Sequence, residues 1–211
     1  QKRVAADLGI GYVFVERDNW WEWNYDFEAR FRITNQLFLI HYWEQRFQNN
    51  SEGYALSFGT PETAYEGIIF GNRNRINTTQ TLGLDYTLTN RIGITFRLRN
   101  YNAIINYNSF SELLNNGRLN ILNNYSGNDV NGNSVYDINY NAFTIDMLFR
   151  WVFFPGSEIN IVWKNSIFSE NNKITQKYWK TLFSSLEDGP MNTFSFKIIY
   201  WLDAQYLKNK K

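Results

Sequence analysis

The sequence predicts an all-β fold: an antiparallel transmembrane β-barrel, with about eight long strands in this chain. Three observations predict it. Apolar and polar residues alternate with period two along most of the chain. The alternating runs are long. Trp21 to Ile33 is one of them, whereas a globular strand averages ~5–6 residues and a tilted membrane-crossing strand needs ~9–11. Tight turns alternate with long connections, the pattern of the two rims of an outer-membrane barrel.

Composition agrees. The 211 residues carry 18% aromatics, 19% charged residues and only 3 Pro. Many aromatics with little charge argue against disorder, and few Pro favour uninterrupted strands. A net charge of +1 excludes a nucleic-acid partner recruited by overall charge. With no Cys there is neither a disulfide framework nor a thiolate metal site. No run approaches the ~20 apolar residues of a spanning helix. The chain opens at Gln1-Lys2-Arg3 without an initiator Met or an apolar signal core. A mature secreted chain or a piece of a longer one is therefore expected.

The expected strands are about 4–17, 20–34, 37–48, 75–89, 92–107, 139–154, 157–168 and 192–206, within one domain, 1–211. In 20–34 the odd positions Trp21, Trp23, Tyr25, Phe27, Ala29, Phe31 and Ile33 are apolar. The even positions Glu22 to Arg32 are polar or charged. The same opposition recurs, mostly, in Ile76 to Leu88, and again in Ile92 to Leu98, Phe143 to Phe153 and Phe194 to Leu202. Thr34-Asn35-Gln36, Thr89-Asn90-Arg91 and Pro155-Gly156-Ser157 read as hairpin turns. Their registers follow from matching faces. Leu84 is expected opposite Phe96, Asp146 opposite Lys164, and Phe149 opposite Ile161. Pairing Thr34 with Leu37 sets Phe31 opposite Ile40 and Arg30 opposite His41. Long outer loops are expected at 49–74, 108–138 and 169–191, with Asp18-Asn19 as a short outer hairpin. Both ends of the segment then lie on the periplasmic side of a bacterial outer membrane.

The segment Asn141-Ala142-Phe143-Thr144-Ile145-Asp146 and the run Arg150-Trp151-Val152-Phe153-Phe154-Pro155-Gly156-Ser157-Glu158 carry a resemblance. So do Val162-Trp163-Lys164, Phe70-Gly71-Asn72-Arg73 and the ending Phe194 to Asp203. Together, over roughly residues 20–207, they resemble the C-terminal barrel of a family of unknown function. Its members carry an N-terminal carbohydrate-binding module of the family-nine type ahead of an outer-membrane β-barrel. The resemblance implies that this chain is the C-terminal part of a larger barrel, with more strands than the chain supplies. It transfers no catalytic residues.

Function is read from the two faces. Asp26, Glu28, Arg30, Arg32, Asp85, Arg97, Arg99, Asp146, Arg150, Glu158, Lys164 and Lys197 are expected to line the lumen. They form either a solute-selecting pore or a cross-strand ladder of paired charges that stiffens the wall. Leu39, Trp43, Leu148, Val152, Val162, Ile199 and Trp201 are also expected to point inward, partly filling it. His41, the sole histidine, is expected to face the lumen near Arg30. Trp21, Trp23, Tyr25, Phe96, Phe149, Trp151, Trp163 and Tyr200 are expected to face lipid, with aromatic girdles at both interfaces. The Trp20–Trp23 cluster has an alternative use as a sugar-stacking platform.

In the outer loops, Asp129, Asn131, Asn133 and Asp137 have the oxygen spacing of a calcium loop, but Ser134 replaces the usual Gly and no Glu closes it. The alternative is a solvated Asn-rich loop, and no cofactor is otherwise implied. Phe110 to Leu122 reads as a hairpin around Asn115-Asn116-Gly117. Tyr178, Trp179, Leu182 and Phe183 recur at helical spacing, as a lid helix over the barrel mouth or a partner-docking surface. No catalytic motif is visible, so no enzyme is expected. Three readings remain. One is a barrel that binds or passes a glycan or nutrient, including as part of a larger outer-membrane complex. The second is a structural or interaction subunit with a plugged lumen. The third is a soluble lipocalin-like carrier. Lipid is the expected partner, joined during biogenesis by the barrel-assembly machinery that engages aromatic last strands.

Overall fold

The computed structural model describes residues 3–16, 19–57, 67–174, 177–185 and 189–202. The strands are β1 (Val4–Val15), β2 (Trp20–Arg32), β3 (Leu37–Ser57), β4 (Ile68–Thr89), β5 (Ile92–Leu113), β6 (Leu119–Ile121), β7 (Ile138–Phe154), β8 (Ser157–Asn171) and β9 (Met191–Ile199). Among the described residues a single helix, α1 (Tyr178–Ser185), lies between β8 and β9. All the strands belong to one antiparallel sheet in the order β1-β2-β3-β4-β5-β7-β8-β9, with β6 pairing β5. Among the described residues no ladder joins β1 to β9, so the sheet is open and its closure into a barrel is not shown.

Several strands outrun the expected bounds. β3, β4 and β5 have 21, 22 and 22 residues. They absorb much of what the sequence assigned to the loops 49–74 and 108–138. The cause is local: register shifts at Gln48/Ser51, Tyr54/Leu56 and Asn72/Arg73 insert unpaired residues. Each such bulge shifts the parity of the side chains, so the period-two signal stops while the pairing continues. Asn50, with φ 54°, sits in the first of them. The hairpin beyond β5 turns at Gly117, whose φ of 80° suits a residue without Cβ. β9 ends at Ile199, short of the expected 206. Asp18 and residues 203–206 lie outside the described residues.

Registers β4/β5 and β7/β8 have Leu84 opposite Phe96, Asp146 opposite Lys164 and Phe149 opposite Ile161. The β2/β3 register differs by one residue: Phe31 pairs Leu39, and Arg30 pairs Ile40. A slip of one inverts a whole strand. Leu39, His41 and Trp43 therefore stand on the face of Trp23, not inward with Arg30. Tyr42, Glu44 and Arg46 take the opposite face. The turn chemistry explains the shift. Thr34 Oγ1 accepts the N–H groups of Gln36 and Leu37, at 3.1 and 3.0 Å. Thr89 Oγ1 accepts those of Arg91 and Ile92 in the same way, at 3.1 Å each. The two Thr-Asn turns are built alike and impose the same offset.

Candidate functional site

The sheet has two chemically distinct faces. On the first, two complete rows across the strands are apolar. One runs Leu39, Leu84, Phe96, Met147, Trp163, Phe194 and the next Leu37, Tyr86, Ile94, Phe149, Ile161, Phe196. Trp21, Trp23, Tyr25 and Trp151 lie on this same face by register, and Tyr200 stacks on Phe153 there. Trp23 stacks on Phe47 at 4.9 Å. Much of this surface is bare: Phe194 is 73% and Phe196 64% exposed.

The second face carries Asp26, Glu28, Arg30, Arg32, Asp85, Arg97, Arg99, Asp146, Arg150, Glu158, Lys164 and Lys197. Its charges pair across strands. Arg30 pairs with Asp7 on β1 and lies 3.2 Å from Glu28. Arg46 bridges Glu22 at 3.5 Å and Glu44 at 3.1 Å. Asp146 lies between Arg99 at 3.2 Å and Lys164 at 3.9 Å, and Arg150 grips Glu158 at 2.6 Å. Thr95 donates to Asp85 at 2.9 Å. Glu22 shares the polar face of β2 already read from the sequence, whereas Glu44 and Arg46 were missing from the sequence-based set because of the one-residue slip. The repeated Thr-Asn turn was the signal that would have found them.

Beyond the two apolar rows this face becomes mixed and then polar. The row Gln45, Thr78, Asn102, Asn141, Ser169 is wholly polar. It adjoins the mixed row Trp43, Gln80, Asn100, Phe143, Ile167. Thr78, Asn100, Asn102 and Asn141 are each 1% exposed. Such burial requires partners. Asn100 Nδ2 donates to Asn141 Oδ1 at 2.9 Å. Gln45 donates to Thr78 at 3.3 Å, and Gln80 meets the His41 ring at 3.2 Å.

Helix α1 lies on the mixed row. Leu182 packs with Phe143, Ile167, Leu98 and Ile145. The Tyr178 ring meets Trp43 edge-on at 5.1 Å. The Tyr178 hydroxyl lies 2.7 Å from Asn100 Oδ1 and 3.0 Å from Gln80 Oε1. Having one proton, it donates to one of them at a time. Burial pushes its pKa up to about 12. Of the four residues expected in a lid or docking element, two thus bind the sheet. Trp179 and Phe183 stay outside, 54% and 63% exposed.

The loop after β6 and the adjoining ends of β4 and β5 hold a second small core of Ile69, Phe110 and Tyr136, with Tyr107, Leu122 and Tyr125 against it. The Tyr125 and Tyr136 hydroxyls are hydrogen-bonded. Burial, then that bond, raises the Tyr136 pKa. Asp129 Oδ1 accepts the backbone N–H groups of Asn131 and Asn133, at 2.9 and 2.8 Å. These donors, Asn133 foremost, hold its carboxyl below the usual range. Asp137 instead accepts from the Tyr107 N–H at 2.8 Å and from Asn106 at 3.4 Å. The two carboxylates thus serve different amides. Among the described residues no three His, Cys, Asp or Glu gather as a metal site.

Fold and site together define an all-β protein, one open antiparallel sheet with a charge-paired face, an apolar face and a short helix laid on the latter. The model of a domain of unknown function, DUF5916, matches residues 1–211, and the chain belongs to that family. No curated protein and no solved structure matches it.

Proposed function

We propose that the sheet is wall of a bacterial outer-membrane β-barrel that binds or passes a glycan or other nutrient at the cell surface. The apolar face meets lipid and the charged face encloses the lumen. One observation carries the reading: the apolar alternation along β7, which includes two wholly apolar and largely uncovered rows, is of membrane height and is backed by paired charge on the opposite face. Phe143 to Phe153 on β7 is ten steps of ~3.3 Å, ~33 Å along the strand and ~25 Å after a tilt of ~40°. That equals the ~25 Å apolar band of such barrels. A soluble sheet leaves no such expanse uncovered. In lipid the free edges of β1 and β9 need further strands or a partner to satisfy their backbone groups. The family-nine-type carbohydrate-binding module of resembling proteins favours a glycan as the solute.

A second reading, a structural subunit with a filled lumen, is favoured by the pairing of Arg99 and Lys164 with Asp146 and by Leu148 and Val162 on the same face.

The chain has no Cys, which permits a direct test. Phe196→Cys and Lys197→Cys, neighbours on opposite faces of β9, are each labelled with a fluorophore in the full chain reconstituted in vesicles. Lipids spin-labelled in the acyl chain quench the label at 196 and spare that at 197. Equal quenching, or a chain that stays soluble without detergent with 196 shielded from lipid, refutes the barrel. Single-channel conductance then separates passage from a filled lumen.

A further inference from the structure

We infer that α1 is an in-plane membrane anchor: Tyr178 and Leu182 fasten it to the outside of the sheet, and Trp179 and Phe183 enter the headgroup boundary of the outer leaflet. This rests on the barrel reading and adds a second, distinct lipid contact to it.

The position of the helix is the first argument. It sits on the row where the apolar face gives way to the polar row Gln45, Thr78, Asn102, Asn141. Below it lie Leu98 and Ile145 and then the two wholly apolar rows; above it, on β7 and β8, come Asn141 and Ser169 and then Asn139 and Asn171, while across β3–β5 the row beyond is Phe47, Ile76 and Ile104. Such a boundary is where a bilayer's hydrocarbon ends and its headgroups begin.

The chemistry of the helix is the second. Around the helical wheel Tyr178, Thr181 and Leu182 share one side, and both Thr181 and Leu182 are buried. Trp179 and Phe183 are one turn apart on the adjoining flank, stacked at 6.3 Å with 27° between their planes. Among the described residues both stay more than half exposed, and Trp179 continues the aromatic surface of Trp43, 6.4 Å away. Indole and phenyl rings at a polar–apolar boundary are the side chains that bilayer interfaces select. Lys177 and Lys180 are exposed beside them. Their ammonium groups complement lipid phosphates, and their stems reach past the rings to do so. Apolar flank, cationic outer edge and low overall hydrophobicity are the makeup of a helix that lies in an interface.

The Asn row acquires a purpose here. A helix held only by apolar contacts beside lipid could exchange them for acyl chains at little cost. The hydrogen bonds of Tyr178 to Asn100 and Gln80 have no substitute in lipid, so they pin the helix to the sheet.

The test uses the full chain in vesicles of phosphatidylcholine and phosphatidylglycerol, with one fluorophore at Phe183→Cys or at Phe196→Cys. Lipids spin-labelled at the headgroup should quench the 183 label more than lipids labelled deep in the acyl chain, and the 196 label should show the reverse order. Lys177→Gln with Lys180→Gln should reduce the shallow quenching at 183 and leave 196 unchanged. Quenching at 196 with none at 183 overturns the anchor and leaves the barrel standing. Absence of quenching at both overturns the barrel and the anchor with it. Protection of the 183 label from water without quenching by lipid assigns the flank to a protein partner and also overturns the anchor.

Discussion

Replacing Tyr178 by Phe removes one oxygen and keeps the ring on Trp43. Asn100 Oδ1, in a residue 1% exposed, then loses the donor 2.7 Å away. Leaving a buried acceptor unpaired costs about 1–3 kcal/mol. At ~1.4 kcal/mol per tenfold, release of α1 becomes roughly fivefold to a hundredfold more frequent. Hydrogen exchange of the α1 amides reads this directly, with β4–β5 amides as the internal control. A pH series adds a second readout. The docked hydroxyl has its pKa raised to about 12 from an ordinary 10.0. Above pH 10 the released form loses its proton first, so the docked helix holds more protons and docking weakens as pH rises. Wild-type protection of α1 should therefore fall between pH 10 and about 12. The Tyr178→Phe protein should lack that step. Unchanged α1 exchange in the variant, or a step that survives the substitution, refutes the role given to this hydroxyl.

Two further predictions follow the same geometry. Asp146→Asn removes the anion shared by Arg99 and Lys164, whose side chains are 50% and 63% exposed. Solvent screening limits the loss to about 1 kcal/mol. Thermal unfolding should shift by a few degrees, and a collapse of the β5–β7–β8 region would contradict the screened ladder. Gly127→Ala places a Cβ 2.4 Å from the Phe110 ring, at a backbone φ of +67°. The left-handed strain alone costs about 1–2 kcal/mol. Limited proteolysis should cut 122–137 faster while leaving the paired strands intact, and an unchanged cleavage rate would show that the loop core does not depend on this glycine.

Much of the architecture is legible in one dimension because a strand's side chains alternate, so burial on one face prints a period of two. That is why the two faces, the β4–β5 and β7–β8 registers and the spacing of α1 can be read from residues such as Phe96, Lys164 and Leu182. The reading stops where the period is broken or where pairing depends on a turn's hydrogen bonds. Bulges at Gln48/Ser51 on β3, and on β5 opposite Asn72/Arg73, hid the far parts of those two strands. The hydroxyl of Thr34 set an offset that hydrophobic matching alone misjudged by one residue, which moved His41 and Trp43 across the sheet. The buried Asn row was invisible for a different reason. Asn100 and Asn141 look like solvated residues until β5 and β7 bring them together and Tyr178, far along the chain, closes over them. Alternation is a local property that each residue carries with its neighbours. Register, bulges and the seat of a helix arise from contacts between distant segments, and only the assembled sheet decides those.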